Sequence, residues 1–202
     1  MSQWSERWQQ SKTAWDLGAA HPLTLQMLRE AQELVKTPLA GHWMIPGCGR
    51  AHDIVALQEA GIKNVLGVDI VPLAIDEAKR LYGERPGASF VCRDILKVPT
   101  EEVGQFAGIF DRAMMCAVTG RERKAYMDAV GEYLGNGGLF VSLAFASVAK
   151  PESGPPFEIS KSELMTSFGA GWDVLLIEDV ISPACDQKIL KEWRFIARKL
   201  PV

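Results

Sequence analysis

Between residues 20 and 146, short apolar runs alternate with amphipathic stretches, and glycine or proline stands at most of the junctions. No other feature limits the fold so strongly. "HWMI" (42–45), "NVLGVDI" (64–70), "ASFVCRD" (88–94), "FAGIFDRAM" (106–114) and "GGLFVSLAF" (137–145) read as strands. "PLTLQMLREAQELV" (22–35) reads as an amphipathic helix, with Leu25, Leu28 and Leu34 among its candidate core positions. "HDIVALQEAG" (52–61) is a helix stopped by Gly61, and "PLAIDEAKRLYG" (72–83) one with Pro72 near its start and Gly83 after its end. "RERKAYMDAVGEYLG" (121–135) is the last of the series. Strand, helix, strand repeated this often predicts an α/β fold, a mostly parallel central sheet with helices on both faces. The tail breaks the rhythm. A helix at 160–169 and two strand-like runs, 172–181 and 189–200, predict an antiparallel hairpin closing one edge of the sheet. No repeat, low-complexity tract or linker divides the 202 residues, so one domain (1–202) is expected.

Composition removes several functional classes. Net charge is −3, which gives no reason to expect nucleic acid or an anionic membrane surface as partner. No stretch approaches the roughly 18 apolar residues of a membrane span, and the polar start "MSQWSERWQQSKTAWD" has no signal-peptide core. Cys48, Cys92, Cys116 and Cys185 lack CxxC spacing, so neither a metal site nor a disulfide framework is suggested. A reducing cytoplasmic setting and a monomer are the expectations.

Behind the first strand come Gly47-Cys48-Gly49. A glycine-rich turn from strand into helix lets a nucleotide approach the backbone, and its usual companion is an acid about 20 positions on for ribose hydroxyls. Asp69 ends the next strand at that distance from Gly49. A plain turn and a solvated acid would be the bland alternative. The third glycine of a dinucleotide fingerprint is missing, since position 52 is His52, and no phosphate-cradling GxxxxGK[ST] occurs. A cofactor with ribose but no phosphate suits this turn, and S-adenosylmethionine is the obvious one. Asp94 after the third strand offers a polar group for adenine, although it could equally cap a turn. Cys48, at a helix N-terminus, could instead be a reactive thiol, but no histidine is obviously set to serve it. His21, His42 and His52 read as structural. There is no GxSxG elbow, which argues against a hydrolase.

"WSERWQQSKTAWD" (4–16), "PGCGRAHD" (46–53), "IFDRAMMCAVTGRERKAYMD" (109–128) and "SGPPFEIS" (153–160) together resemble the thiopurine S-methyltransferase family and the related plant halide and thiol methyltransferases. The matches run through nearly the whole chain in order, and are loose after residue 170. The resemblance implies a Rossmann-like class I methyltransferase: an aromatic lid (1–20), a cofactor-binding core (41–146), and a substrate-side and sheet-closing segment (147–202). It assigns Trp4, Trp8 and Trp15 to the lid, with Trp15 also facing substrate. Gly47 lies against the methionine portion, Asp69 on the ribose, and Asp94 with Ile95 at the adenine, with Gly49, Ile70 and Arg112 also among the cofactor contacts. Arg123 matches an arginine near the substrate and is the catalytic candidate; Phe157, in the GPPF segment, is a further substrate contact. Arg112 looks like the thiopurine branch, where the halide enzymes carry an aromatic, whereas "WDLG" (15–18) looks like the halide and thiol branch.

Methyl transfer from a sulfonium is an in-line displacement, and an acceptor that arrives as an anion needs no strong base. The expected reaction moves a methyl group to a small soft nucleophile, a thiol first and thiocyanate or halide next. Oxygen, nitrogen, selenium or tellurium acceptors are alternatives, as are an NAD-dependent oxidoreductase and a non-catalytic cofactor-binding module. The spacing of Trp4 and Trp8 puts both on one helix face, which suits a lid and equally a helix docked on the core. Arg123 could attract an anionic substrate or hold a water that takes a thiol proton, or could belong to a solvated "RERK" face.

Overall fold

The computed structural model describes residues 3–150, 154–183 and 189–201. Ser153, which opens "SGPPFEIS", and Cys185 lie outside the described residues. Seven strands form one sheet: β1 (His42–Pro46), β2 (Asn64–Asp69), β3 (Ala88–Cys92), β4 (Phe106–Arg112), β5 (Leu134–Val148), β6 (Trp172–Ile181) and β7 (Ile189–Lys199). Their order is β3-β2-β1-β4-β5-β7-β6. The first five run parallel, and β7 pairs antiparallel with both β5 and β6. The predicted hairpin is present, with β7 as its inner strand.

Six helices connect and cover the sheet: α1 (Gln3–Gln9), α2 (Thr24–Val35), α3 (Ile54–Glu59), α4 (Pro72–Tyr82), α5 (Gly120–Tyr133) and α6 (Lys161–Ser167). Apolar side chains on the two faces make two cores. One joins Met27 and Leu28 of α2 and Ile54 and Leu57 of α3 to Trp43, Ile45 and Val141 of the sheet. The other joins Tyr126, Val130 and Tyr133 of α5 to Met44, Ile109, Phe140 and Phe195. Each fully buried side chain of this size contributes about 1.5–3 kcal/mol, so the two faces dominate stability.

Element limits moved where tertiary contacts override local signals. Leu34 is 45% exposed rather than core, because it sits in the last turn of α2, where left-handed Lys36 (φ 56) turns the chain away. Met27 and Ala31 take the buried stripe instead. α3 is shorter than expected because Asp53 is used elsewhere: its carboxylate accepts from the His21 amide (2.9 Å) and the Thr24 hydroxyl (2.7 Å). β5 begins at Leu134, three residues early, where its pairing to Phe106 extends the chain.

Strand order reverses between β1 and β4, since β1 leads outward to β2 and β3 while β4 starts the other half. In open sheets, ligands bind beyond the carboxyl ends of strands at such a reversal.

Candidate active site

A partly open cleft lies at that point. Its floor is the turn after β1. Gly47 and Gly49 have φ of +56 and +52, where residues with a Cβ are strained. At Gly47 space is short as well, because a Cβ there would lie 2.8 Å from Met114 Sδ. The Cys48 amide donates to Val68 O (3.0 Å), and the Gly49 amide to Asp69 Oδ2 (2.9 Å). Asp69 Oδ1 accepts from the Val71 amide at 2.9 Å. The spacing seen between glycine and acid is thus a direct contact. Burial pushes the Asp69 carboxyl up, and the amides of Val71, Gly49 and Ile70 oppose this.

The second wall follows β4. Asp111, fully buried, accepts from the Met114 amide (2.8 Å), the Met115 amide (3.2 Å) and the Tyr126 hydroxyl (3.0 Å), and so shapes the 112–115 turn. Burial raises its pKa to about 7 against those hydrogen bonds. Arg112 leaves this turn and lines the cleft. Its Nη1 donates to Trp15 O at 2.9 Å, while Nε and Nη2 are buried with no partner in the protein. Two orphaned donors on a guanidinium are costly, and they mark a place for an anionic or carbonyl oxygen, or a soft anion.

The third wall is the N-terminal segment. Trp8 is buried against Val71 and Ala74, and Trp4 and Trp15 meet edge to face with centroids 5.4 Å apart. All three tryptophans border the cleft. The docked stripe expected as one alternative is present in Trp8, and the same segment borders the cleft. Ala113, Met114, Ala117, Phe145 and Pro156 complete a mostly apolar lining. A second recess shares Trp8, Trp15, Gly47 and Arg112 and extends along Gly49 to Asp53, so Arg112 stands where the two meet.

Other expected residues lie off this wall. Arg123, the expected substrate contact, lies behind this wall and bonds within the protein. Its side chain is 7% exposed, Nε and Nη2 donate to Met115 O (3.2 Å) and Val118 O (2.9 Å), and Nη1 pairs with Glu163 of α6 at 3.3 Å. Phe157 is absent from the described lining and its neighbour Pro156 is present; the Phe157 amide donates to Cys116 O (2.8 Å). Ile70 (47% exposed), Asp94 and buried Ile95 follow β2 and β3 on the same edge of the sheet, outside the cleft. Asp94 accepts from the Leu96 amide at 3.0 Å, the turn cap that was its alternative. Burial drives the thiols of Cys48 and Cys116 upward, away from thiolate chemistry. The sequence reading missed the apolar wall of Ala113, Met114 and Phe145. Their position just past β4 and late in β5 was the available signal.

An open sheet that reverses here, inserts an antiparallel β7 between β5 and β6 and bonds its glycine turn to the acid of the next strand has the architecture of class I S-adenosylmethionine-dependent methyltransferases. The fold overlays the solved 1,6-didemethyltoxoflavin-N1-methyltransferase of Burkholderia thailandensis with a TM-score of 0.73 at 18% identity, covering 98% of this chain and 86% of that one. The chain belongs to the thiopurine S-methyltransferase family, which it matches over residues 1–193. It is similar to thiocyanate methyltransferase 1 of Brassica oleracea, 31% identical over 79% of this chain and 68% of that protein. It is also similar to a thiopurine S-methyltransferase of Xanthomonas campestris, 28% identical over 87% of this chain and 84% of that protein. S-adenosylmethionine is accordingly its cofactor and methyl transfer its reaction. Among the described residues, no helix is long and apolar enough to cross a membrane.

Proposed function

We propose that the cleft methylates a small soft anion, a thiolate first and thiocyanate or halide next. The observation that carries this is Arg112, whose side chain borders a mostly apolar cleft and whose Nε and Nη2 are buried without a partner among the described residues. Among the described residues lining the cleft, Asp69 is the sole carboxylate and there is no histidine, cysteine, serine or tyrosine. Both Asp69 oxygens already accept backbone amides, so a general base for a neutral acceptor has no place on that wall. The thiocyanate, thiol and thiopurine activities in the names of relatives agree with this reading.

The residues present fit the cofactor. A Cβ at Gly47 would crowd the floor of the cleft, and each Asp69 oxygen keeps accepting capacity for ribose hydroxyls. Gly47, Gly49 and Asp69 would hold its methionine and ribose parts, with Ile70, Asp94 and Ile95 beside the adenine, while Arg112, expected among these contacts, is assigned to the acceptor. When bound, the cofactor supplies an electrophilic methyl group on a sulfonium. Trp4, Trp8 and Trp15 exclude water and present ring faces, each worth about 0.5–2 kcal/mol to a nearby cation. The counter-charge expected of Arg123 falls to Arg112. Arg123 is a positioning residue that fixes the Met115 and Val118 carbonyls, and with them Met114 and Ala117 on the wall. Trp15 and the Pro156–Phe157 segment border the acceptor.

In the same reading residues 1–202 form one domain, with 1–20 as lid, 41–146 as cofactor core and 147–202 as the substrate side. It acts as a cytoplasmic monomer without nucleic acid or membrane, and the net charge of −3 supports this. An acceptor screen that follows S-adenosylhomocysteine release, run with thiols, thiocyanate, iodide and a phenol, tests the proposal. Turnover should be best with the soft anions; a preference for the phenol would overturn it.

A further inference from the structure

The lid must open for cofactor to enter and product to leave, yet it is tied down, and its ion pair to the glycine turn centres on one side chain. Asp16 lies between Trp15 and an exposed Leu17-Gly18-Ala19 stretch. Its carboxylate takes the Gly18 amide (2.8 Å), forms an ion pair with Arg50 Nη1, and lies 3.2 Å from His52 Nε2. The side chains of Asp16, His52 and Arg50 are only 11%, 13% and 28% exposed, so water weakens these contacts less than at the surface.

Both partners belong to the cofactor turn. Arg50 follows Gly49, its guanidinium sits 4.9 Å over the Trp8 ring, and its Nε is 3.6 Å from Glu77 of α4. His52 is fixed from behind by the Tyr82 hydroxyl, 2.8 Å from Nδ1. The segment is also held by Arg112 donating to Trp15 O, by Arg7 to Pro155 O (3.2 Å), by Arg50 to the Thr13 hydroxyl (3.5 Å), and by Trp8 packed on Val71 and Ala74. Past Asp16 the chain is free to swing. Gly18 has φ +70, and a Cβ there would meet nothing within 4 Å. Three residues later it is anchored again, because the His21 amide donates to Asp53 and the His21 ring lies 3.2 Å from Glu192, both side chains fully buried.

We propose that Asp16 is the latch of the lid: gripped by Arg50 of the glycine turn, with the His52 ring beside it, it holds residues 3–17 over the cleft, and its release lets them swing about Gly18 from the His21 anchor. Asp16 is thus a positioning residue, acting through Trp8 and Trp15. The inference rests on the cleft being the cofactor site, since the latch is built onto the cofactor turn.

Hydrogen exchange by mass spectrometry on the cofactor-free protein tests it. In Asp16→Asn, peptides covering residues 3–17 should exchange about tenfold faster, the loss expected for a partly buried ion pair, while peptides of β1 and β4 keep their protection. Asp16→Glu, which keeps the charge on a longer arm, should recover most of the protection. In the wild-type protein, raising NaCl to about 0.5 M should speed exchange in the lid alone, so the test stands even where a variant folds poorly. Lid exchange identical in wild type and Asp16→Asn, or unmoved by salt, would overturn the latch. Added S-adenosylhomocysteine reports separately on the site: it slows lid exchange in the wild type only where the cleft is the cofactor pocket.

Discussion

Replacing Arg112 by methionine keeps most of the side-chain stem and removes the guanidinium, and its effects on stability and catalysis should part company. In the cofactor-free protein Nε and Nη2 are buried without partners. Each unsatisfied donor of this kind costs about 1–3 kcal/mol, which the methionine relieves. Against this stands the lost bond from Nη1 to Trp15 O, worth about 1.5–3 kcal/mol for a charged donor. The opposed terms leave the variant between about 1 kcal/mol less stable and about 4 kcal/mol more stable than wild type. The transition state loses both charge-assisted contacts to the anion with nothing to offset them. At about 1.5–3 kcal/mol each, kcat/KM for thiocyanate or a thiolate should fall by roughly 10²–10⁴-fold. Chemical denaturation and initial-rate kinetics on the same preparation measure the two. Unchanged kcat/KM together with a large loss of stability would make Arg112 a strut, and the acceptor assignment would fall with it.

Three further outcomes are expected. Gly47→Ala must hold a Cβ at φ +56 and push Met114 aside, so a stability loss of about 1–2 kcal/mol should accompany a larger loss of S-adenosylhomocysteine affinity in titration calorimetry. Arg123→Lys leaves carbonyls of the 115–118 turn without their forked donor; the acceptor KM should rise more than kcat falls, and thermal stability should drop, with an unchanged KM counting against the positioning role. Because burial holds Asp111 protonated up to about 7 in the fold but not in the unfolded chain, its stability contribution is full below about pH 4 and fades as pH rises to 7. The slope approaches about −1.4 kcal/mol per pH unit in that window and should flatten in Asp111→Asn. Equal slopes would show that Asp111 does not titrate there.

Much of the scaffold was legible because it obeys local rules. The alternation of buried strands and amphipathic helices located every element of the parallel half, and the Gly49–Asp69 spacing became a 2.9 Å hydrogen bond. What the sequence leaves hidden lies where distant chain meets. Nothing near His21 announces that its ring will face Glu192 of β7, and nothing near Arg123 shows that its donors will be consumed by Met115, Val118 and Glu163. Arg112 and Arg123 are equally charged in the sequence. Only the turn held by Asp111 directs one of them to the cleft and leaves the other behind it. The latch was invisible for the same reason, since Asp16, Arg50 and His52 meet only when the N-terminus folds back over the sheet.

The central claim is that the cleft accepts an anion and contains no base to make one. The pH dependence of kcat/KM for a set of thiols with different pKa values tests it most directly. The account predicts a rising limb that moves from thiol to thiol with the acceptor's own ionisation. A single inflection common to all of them would reveal a base on the protein and contradict it.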